Sequence, residues 1–301
     1  MIRSNKLKRG DKIGIIATAR KVTNHELESC IRVLNAWGLK VVFAPNLFKV
    51  NHQFAGEDSE RTEDLQWAID HKELKAVIVA RGGYGTSRMI DSVDFSELKQ
   101  HPKWFIGFSD VTVLLTQLIK EGLQSLHAPI ALLLAKEGHE ESALNLKQIL
   151  LENKVSKMHA PSSHLNREGK ASGELIGGNL SILHTIISTP SDIDYSGKIL
   201  FIEDLDEYLY HIDRMMVHLK RTGKLKELAG LVVGYMSDMN DNATPFGKSA
   251  YQIIKEHTVD YDYPIGFNFP IGHEAKNLTV IVGGTYTIEV NKEGSLLKEI
   301  N

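Results

Sequence analysis

Cysteine is almost missing. Cys30 is the only one in 301 residues, so no disulfide can form within the chain. It lies in "NHELESCIRVLNAWG", where Leu27, Cys30, Ile31, Leu34 and Trp37 follow a helical spacing. It therefore reads as a small buried apolar residue rather than a reactive thiol. Charge of one sign is also lacking. The net charge is -3 and the isoelectric point about 6.5, which gives no electrostatic reason to expect nucleic acid or an anionic membrane as partner. No apolar run approaches the roughly 20 residues that span a bilayer. The short run Ile13 to Ala19 reads as a first strand, not a signal peptide. The expected compartment is the cytoplasm. Metal motifs are missing too, with no H-E-x-x-H, no paired cysteines and no EF-hand loop, and neither G-x-G-x-x-G nor G-x-x-x-x-G-K-[ST] occurs. No metal and no cofactor are expected. Internal repeats and low-complexity segments are absent as well.

What the chain does have is alternation. In the first half "KIGIIAT", "LKVVFAPN", "KAVIVA" and "KWFIGF" are compact apolar runs, separated by helical patterns around Cys30, over 59–71 and over 111–121. Continuous apolar strands alternating with helices predict a parallel sheet with both faces covered. The polar stretch 156–172, with Pro161 and several serines, reads as a connection between an α/β domain (1–155) and a second, mixed and more β-rich domain (173–301). Near the end, "VGGT" at 282–285 reads as a tight hairpin turn.

In an open α/β sheet ligands bind outside the carboxyl ends of the strands. The third strand there runs into "RGGYG" (81–85), and the fourth into Ser109-Asp110. If these strands are neighbours, the glycine turn and the serine share a crevice. Ser109, with Gly107 before it, fits half of a G-x-S-x-G nucleophile elbow; Val111 stands where the second glycine belongs. Ser109 or Asp110 could equally cap the following helix. "RGGYG" could bind a phosphate, form a plain turn, or supply an oxyanion-hole N–H from Gly83, to pair with that of Asp110. A serine nucleophile needs a base. Of 13 histidines, His273 stands apart, because it follows "FNFPIG" in a tight loop after a strand. Glu203-Asp204, at the end of the apolar strand "KILFI", could orient such an imidazole, or be solvated charges. The order Ser109, Glu203, His273 matches one known triad arrangement.

Together the motifs resemble a known family, the LD-carboxypeptidases, serine peptidases that include the microcin C immunity proteins. "RGGYG" (81–85), "IGFSDVT" (106–112), "LFIEDLDEYLYHIDRMM" (200–216) and "FPIGH" (269–273) carry the resemblance; "ELIGGNLSIL" and "FAGEDSERTEDL" add to it. The similarity runs along nearly the whole chain. It implies an N-terminal flavodoxin-like domain and a smaller β-rich C-terminal domain. It implies Ser109 as nucleophile, His273 as general base, Glu203 as its orienting partner, and the N–H groups of Gly83 and Asp110 as oxyanion hole. The implied reaction is hydrolysis of the amide between an L-centre and a C-terminal D-amino acid, usually D-alanine of a murein tetrapeptide, in cell-wall recycling. The implied assembly is a metal-free cytoplasmic homodimer. Arg81, Tyr84, Asn179 and Arg214 are candidate substrate-binding residues. The two arginines are candidates because an exopeptidase must hold a terminal carboxylate. "EDLDEYLYHIDR" is similar to the carboxypeptidase branch, with Leu209 where a proline is common. Cleavage of an aminoacyl-nucleotide conjugate, as by the immunity proteins, and a non-catalytic small-molecule binder are the alternatives.

Overall fold

The computed structural model describes residues 1–300. The chain runs through β1 (Lys12–Ile16), α1 (Asn24–Ala36), β2 (Lys40–Phe43), α2 (Asp58–Asp70), β3 (Leu74–Val79), β4 (Trp104–Gly107), α3 (Thr112–Lys120), β5 (Ser125–His127) and α4 (Glu140–Glu152). It continues through β6 (Lys157–Pro161), β7 (Gly169–Asn179), α5 (Leu180–Ile186), β8 (Ile199–Leu205), α6 (Leu209–Arg221), β9 (Gly230–Ser237), α7 (Ala250–His257) and β10 (Ile265–Gly266). It closes with β11 (Val280–Val282), β12 (Thr285–Asn291) and β13 (Gly294–Glu299).

The chain divides into two compact units. The first holds residues 1–154 and 278–282; the second holds 155–277 and the chain from 283 on. In the first, the sheet order is β11-β5-β4-β3-β1-β2. All pairings are parallel except the antiparallel β11–β5 edge. The order β2-β1-β3-β4-β5 is the flavodoxin-like one expected, and its direction reverses at β1/β3. Consecutive residues Ile13 to Ile16 and Ala76 to Val79 are all buried. Neighbours on a strand point to opposite faces, so both faces of the sheet are covered.

The second unit is built on a seven-stranded mixed sheet, β10-β9-β8-β7-β12-β13-β6. Its β7, β8, β9 and β10 are parallel, whereas β12, β13 and β6 add on to β7 as antiparallel neighbours. Ile199 to Ile202 and Leu231 to Val233 form its buried centre.

Two expectations change. The hairpin at 282–285 is not formed: Val280–Val282 pairs with β5 of the first sheet, and Thr285 begins a strand of the second. A single cut at 156–172 therefore leaves out a strand that returns to the first unit. The 156–172 stretch is also not a bare connection. β6 is an edge strand paired with β13, with Met158 and Ala160 buried between exposed neighbours. Its alternation is too short to stand out in a polar segment.

Candidate active site

In the first unit, β3 and β4 are adjacent and parallel, so the loops after them open on the same side. Ser109 follows Phe108 with φ +65°, in the left-handed region that a side chain enters at a cost. Its hydroxyl caps no helix: neither the 3-10 turn Ser109–Val111 nor α3 has a side-chain cap. A strained serine at a strand-to-helix corner is the geometry of a nucleophile elbow, which lifts the hydroxyl clear of the backbone. Gly107 makes room for this corner. A Cβ there would meet the Val111 side chain at 2.9 Å. So Val111, occupying the position of the second elbow glycine, packs on the first.

The glycine loop lies against this corner. A Cβ on Gly82 would stand 3.4 Å from the Ser109 Cβ and 3.5 Å from its hydroxyl. Gly83 has φ +115°, and among the described residues no acceptor takes its N–H. Asp110 does not cap α3 either. Its buried carboxylate accepts from the Thr86 N–H (2.9 Å) and hydroxyl (2.6 Å), tying the end of the glycine loop to the elbow. Burial pushes the Asp110 carboxyl up, and its bonds to Thr86 and to the Gly85 N–H pull the other way. Arg61, almost fully buried, completes the brace. It donates to the carbonyls of Thr18 (2.8 Å) and Gly85 (3.0 Å) and pairs with Asp58.

In the second unit, Glu203 and Asp204 end β8, and both are buried. The Glu203 side chain is 0% exposed, and its Oε2 lies 2.7 Å from Nδ1 of His273, itself 12% exposed. Burial lowers the affinity of the imidazole for a proton. The charge of Glu203 and the hydrogen bond to it, aided by Asp204 and Glu274, outweigh this and leave the His273 pKa raised. Gly272 puts His273 there, with φ +128°. A Cβ on it would sit 3.0 Å from Oε2 of Glu203 and 3.1 Å from its Cβ. The loop is pinned by the Gly272 N–H donating to Asn277 (3.1 Å) and the Tyr235 N–H donating to the Ile271 carbonyl (2.8 Å).

Asp204 faces another way. It accepts from the Asn179 amide, the Ser181 N–H and the Leu205 N–H, each at 2.9 Å. Burial and the neighbouring Glu203 charge push its carboxyl up to about 7.

Asn179 is thus a buried strut: besides binding Asp204 it caps α5. Arg81 pairs with Glu26 at 3.4 Å. Tyr84 is exposed and tilts toward Phe54, ring centroids 6.1 Å apart. Arg214 is exposed on α6 and lies over the Tyr210 ring at 5.3 Å. The structure therefore brings Gly82, Gly83, Ser109 and Asp110 together in one cluster, and Glu203 with His273 in another. The sequence reading missed the Asp110–Thr86 tie, the Arg61 brace and Arg20, whose side chain lies on Gly83. Arg20 ends "ATAR", at the carboxyl end of β1 and beside that of β3, but nothing in the sequence marks any of these three contacts.

Comparison with known proteins bears on the family and the fold. Residues 13–128 match the LD-carboxypeptidase N-terminal domain, and residues 172–288 the LD-carboxypeptidase C-terminal domain. A probable murein peptide carboxypeptidase of Bacillus subtilis is 34% identical over 97% of this chain and 93% of its own. A crystal structure of muramoyltetrapeptide carboxypeptidase from Oxalobacter formigenes superposes with a TM-score of 0.87. It is 28% identical and covers 96% of this chain and 99% of that one. The microcin C7 self-immunity protein MccF shares the fold, with a TM-score of 0.88 over 100% of this chain and 99% of its own, at 19% identity.

Proposed function

The chain belongs to the LD-carboxypeptidase family, and on that premise we propose that it hydrolyses the amide between an L-centre and a C-terminal D-amino acid. The substrate of this reading is a murein tetrapeptide, and the leaving group D-alanine. The observation that carries it is Ser109, held at φ +65° beside the glycine loop with a hydroxyl that caps nothing. Ser188 reaches φ +66° as well, so the strain counts here because it comes with the glycine loop set against the Ser109 hydroxyl.

In the proposed reaction His273 takes the Ser109 proton as Ser109 attacks the scissile carbonyl. The N–H groups of Gly83 and Asp110 receive the oxyanion. His273 then protonates the departing D-alanine nitrogen, and water attacks the acyl-enzyme by the same route in reverse. The buried Glu203 carboxylate holds Nδ1 of His273, leaving Nε2 as the atom that exchanges protons, and it stabilises the imidazolium formed at each step. No metal or cofactor takes part. The reading includes a cytoplasmic homodimer serving cell-wall recycling, on the family resemblance alone. No described helix is long and apolar enough to cross a membrane.

The test is release of D-alanine from a murein tetrapeptide, with Ser109→Ala as the control. Release by the wild type, lowered at least a thousandfold in the variant, is expected. Absence of release, or equal release from both, refutes the reading. An aminoacyl-nucleotide conjugate run in parallel separates the immunity-protein alternative, which rests on a shared fold.

A further inference from the structure

An enzyme that removes only the terminal residue must recognise the terminal carboxylate, and beside the glycine loop the motif arginine Arg81 fills that role poorly, held as it is by Glu26. Four arginines surround the glycine loop: Arg20, Arg61, Arg81 and Arg88. Arg61 is buried, with its two terminal nitrogens committed to Thr18, Gly85 and Asp58. Arg88 forks onto the Asp58 carboxylate at 2.7–3.0 Å. Arg81 is held by Glu26. Arg20 is exposed and, among the described residues, has no carboxylate partner.

Its place is specific. A Cβ on Gly83 would lie 2.6 Å from Cδ of Arg20 and 2.7 Å from its Nε, so the arginine stem rests on the Gly83 peptide itself. The backbone beneath is fixed. Ala55 N–H donates to the Ala19 carbonyl and Lys21 N–H to the Gln53 carbonyl, both at 3.0 Å. Arg20 also follows β1, so it stands at the point where the sheet order reverses between β1 and β3.

We propose that Arg20 binds the C-terminal carboxylate of the substrate. The inference rests on the peptidase reading above. An oxyanion in a hole formed by Gly83 sits roughly 3 Å from its N–H. Standard bond lengths put the carboxylate carbon within about 4 Å of the scissile carbonyl carbon, two atoms beyond it through N and Cα. A guanidinium one bond past an Nε that overlies Gly83 is within that reach. It presents a planar two-pronged donor matched to a carboxylate. Gly83 then has two duties: it offers its N–H, and its missing side chain is what lets Arg20 approach.

The test compares kcat/KM for a murein tetrapeptide and for the same peptide with a C-terminal carboxamide, in wild type, Arg20→Gln, Arg20→Lys and Arg81→Gln. Loss of a charge-assisted pair predicts a fall of roughly 30- to 100-fold in Arg20→Gln on the free acid. The amide should stay within about threefold of wild type, Arg20→Lys should recover part of the loss, and Arg81→Gln should keep the wild-type preference. If the amide is cleaved too slowly to follow, it is read as a competitive inhibitor, with one inhibition constant expected for wild type and Arg20→Gln. Equal losses on both substrates, no loss on either, or loss of the preference in Arg81→Gln overturns the assignment while leaving the peptidase reading intact. A wild-type enzyme inert on the free acid overturns both. Arg20 is exposed, so unchanged thermal melting of its variants is expected and guards against misfolding.

Discussion

Gly272→Ala is the substitution whose consequence the geometry defines most closely. The residue has φ +128°, outside the region open to alanine, and that strain alone costs about 1–3 kcal/mol. The new methyl would also press on Glu203, 3.0 Å from Oε2 and 3.1 Å from Cβ. Glu203 has little room to step aside, because it is fully buried in β8. Crowding of this kind adds about 1–3 kcal/mol. The expected total is about 2–6 kcal/mol, a large share of the 5–15 kcal/mol that commonly holds a domain together. Gly122→Ala is the matched control. Its φ of +79° is also left-handed, but nothing lies within 4 Å of the added methyl, so it carries the backbone cost alone. Urea unfolding followed by circular dichroism gives the two stabilities, and proton NMR of the His273 imidazole reports the contact with Glu203. Gly272→Ala should lose both stability and the raised His273 pKa, whereas Gly122→Ala should lose only part of the first. If the two variants are equally stable and both keep the His273 titration, the packing described for the loop is wrong.

Other consequences are as direct. Ser109→Gly removes the left-handed strain at the elbow, so it should stabilise the protein by about 1 kcal/mol in the same urea titration while abolishing hydrolysis. Thr86→Val leaves the buried Asp110 carboxylate without its hydroxyl donor and should cost about 1–3 kcal/mol; a change below about 0.5 kcal/mol would remove Asp110 as the tie between loop and elbow. The folded-state pKa of His273 is raised, so its contribution to stability is complete below the ordinary value near 6.5 and is lost as pH rises through the higher folded value. Asp204, raised to about 7, acts in the same direction, because the folded state holds a proton that the unfolded chain has released. Stability should therefore fall with rising pH, from about pH 4 to about 7 through Asp204 and from about 6.5 upward through His273, and Asp204→Asn should flatten the lower part of that slope. Since a general base must be neutral, the acid limb of kcat/KM should lie above the usual histidine value and move down in Glu203→Gln.

The parts legible in the sequence are those fixed by local pattern. The unbroken burial of Ala76 to Val79 and of Trp104 to Gly107 is written as apolar runs, and these are the strands whose ends carry the glycine loop and Ser109. Ser109 and His273 were visible as residues out of place at such ends. The short edge strands were not legible. Val280–Val282 reads as half of a hairpin until its partner is known to be β5, far earlier in the chain. Nor does an exposed arginine such as Arg20 carry any sign in sequence, since what distinguishes it is the bare backbone of Gly83 against it. Asp110 was expected to cap α3 or to offer its N–H. Its carboxylate binds Thr86 because the three-dimensional neighbour competes successfully with the local one.

The returning strand bears on how the protein is made. When the ribosome has synthesised residues 1–154, the first sheet has every strand except β11, and the open edge of β5 stays a row of unpaired backbone groups until Val280–Val282 emerges. The nucleophile-bearing half is thus laid down first but sealed near the end, after the histidine and glutamate have been translated. A fragment ending at residue 154 would present a sticky edge, and a stop codon placed shortly before residue 280 would leave an unfinished sheet rather than a shortened enzyme.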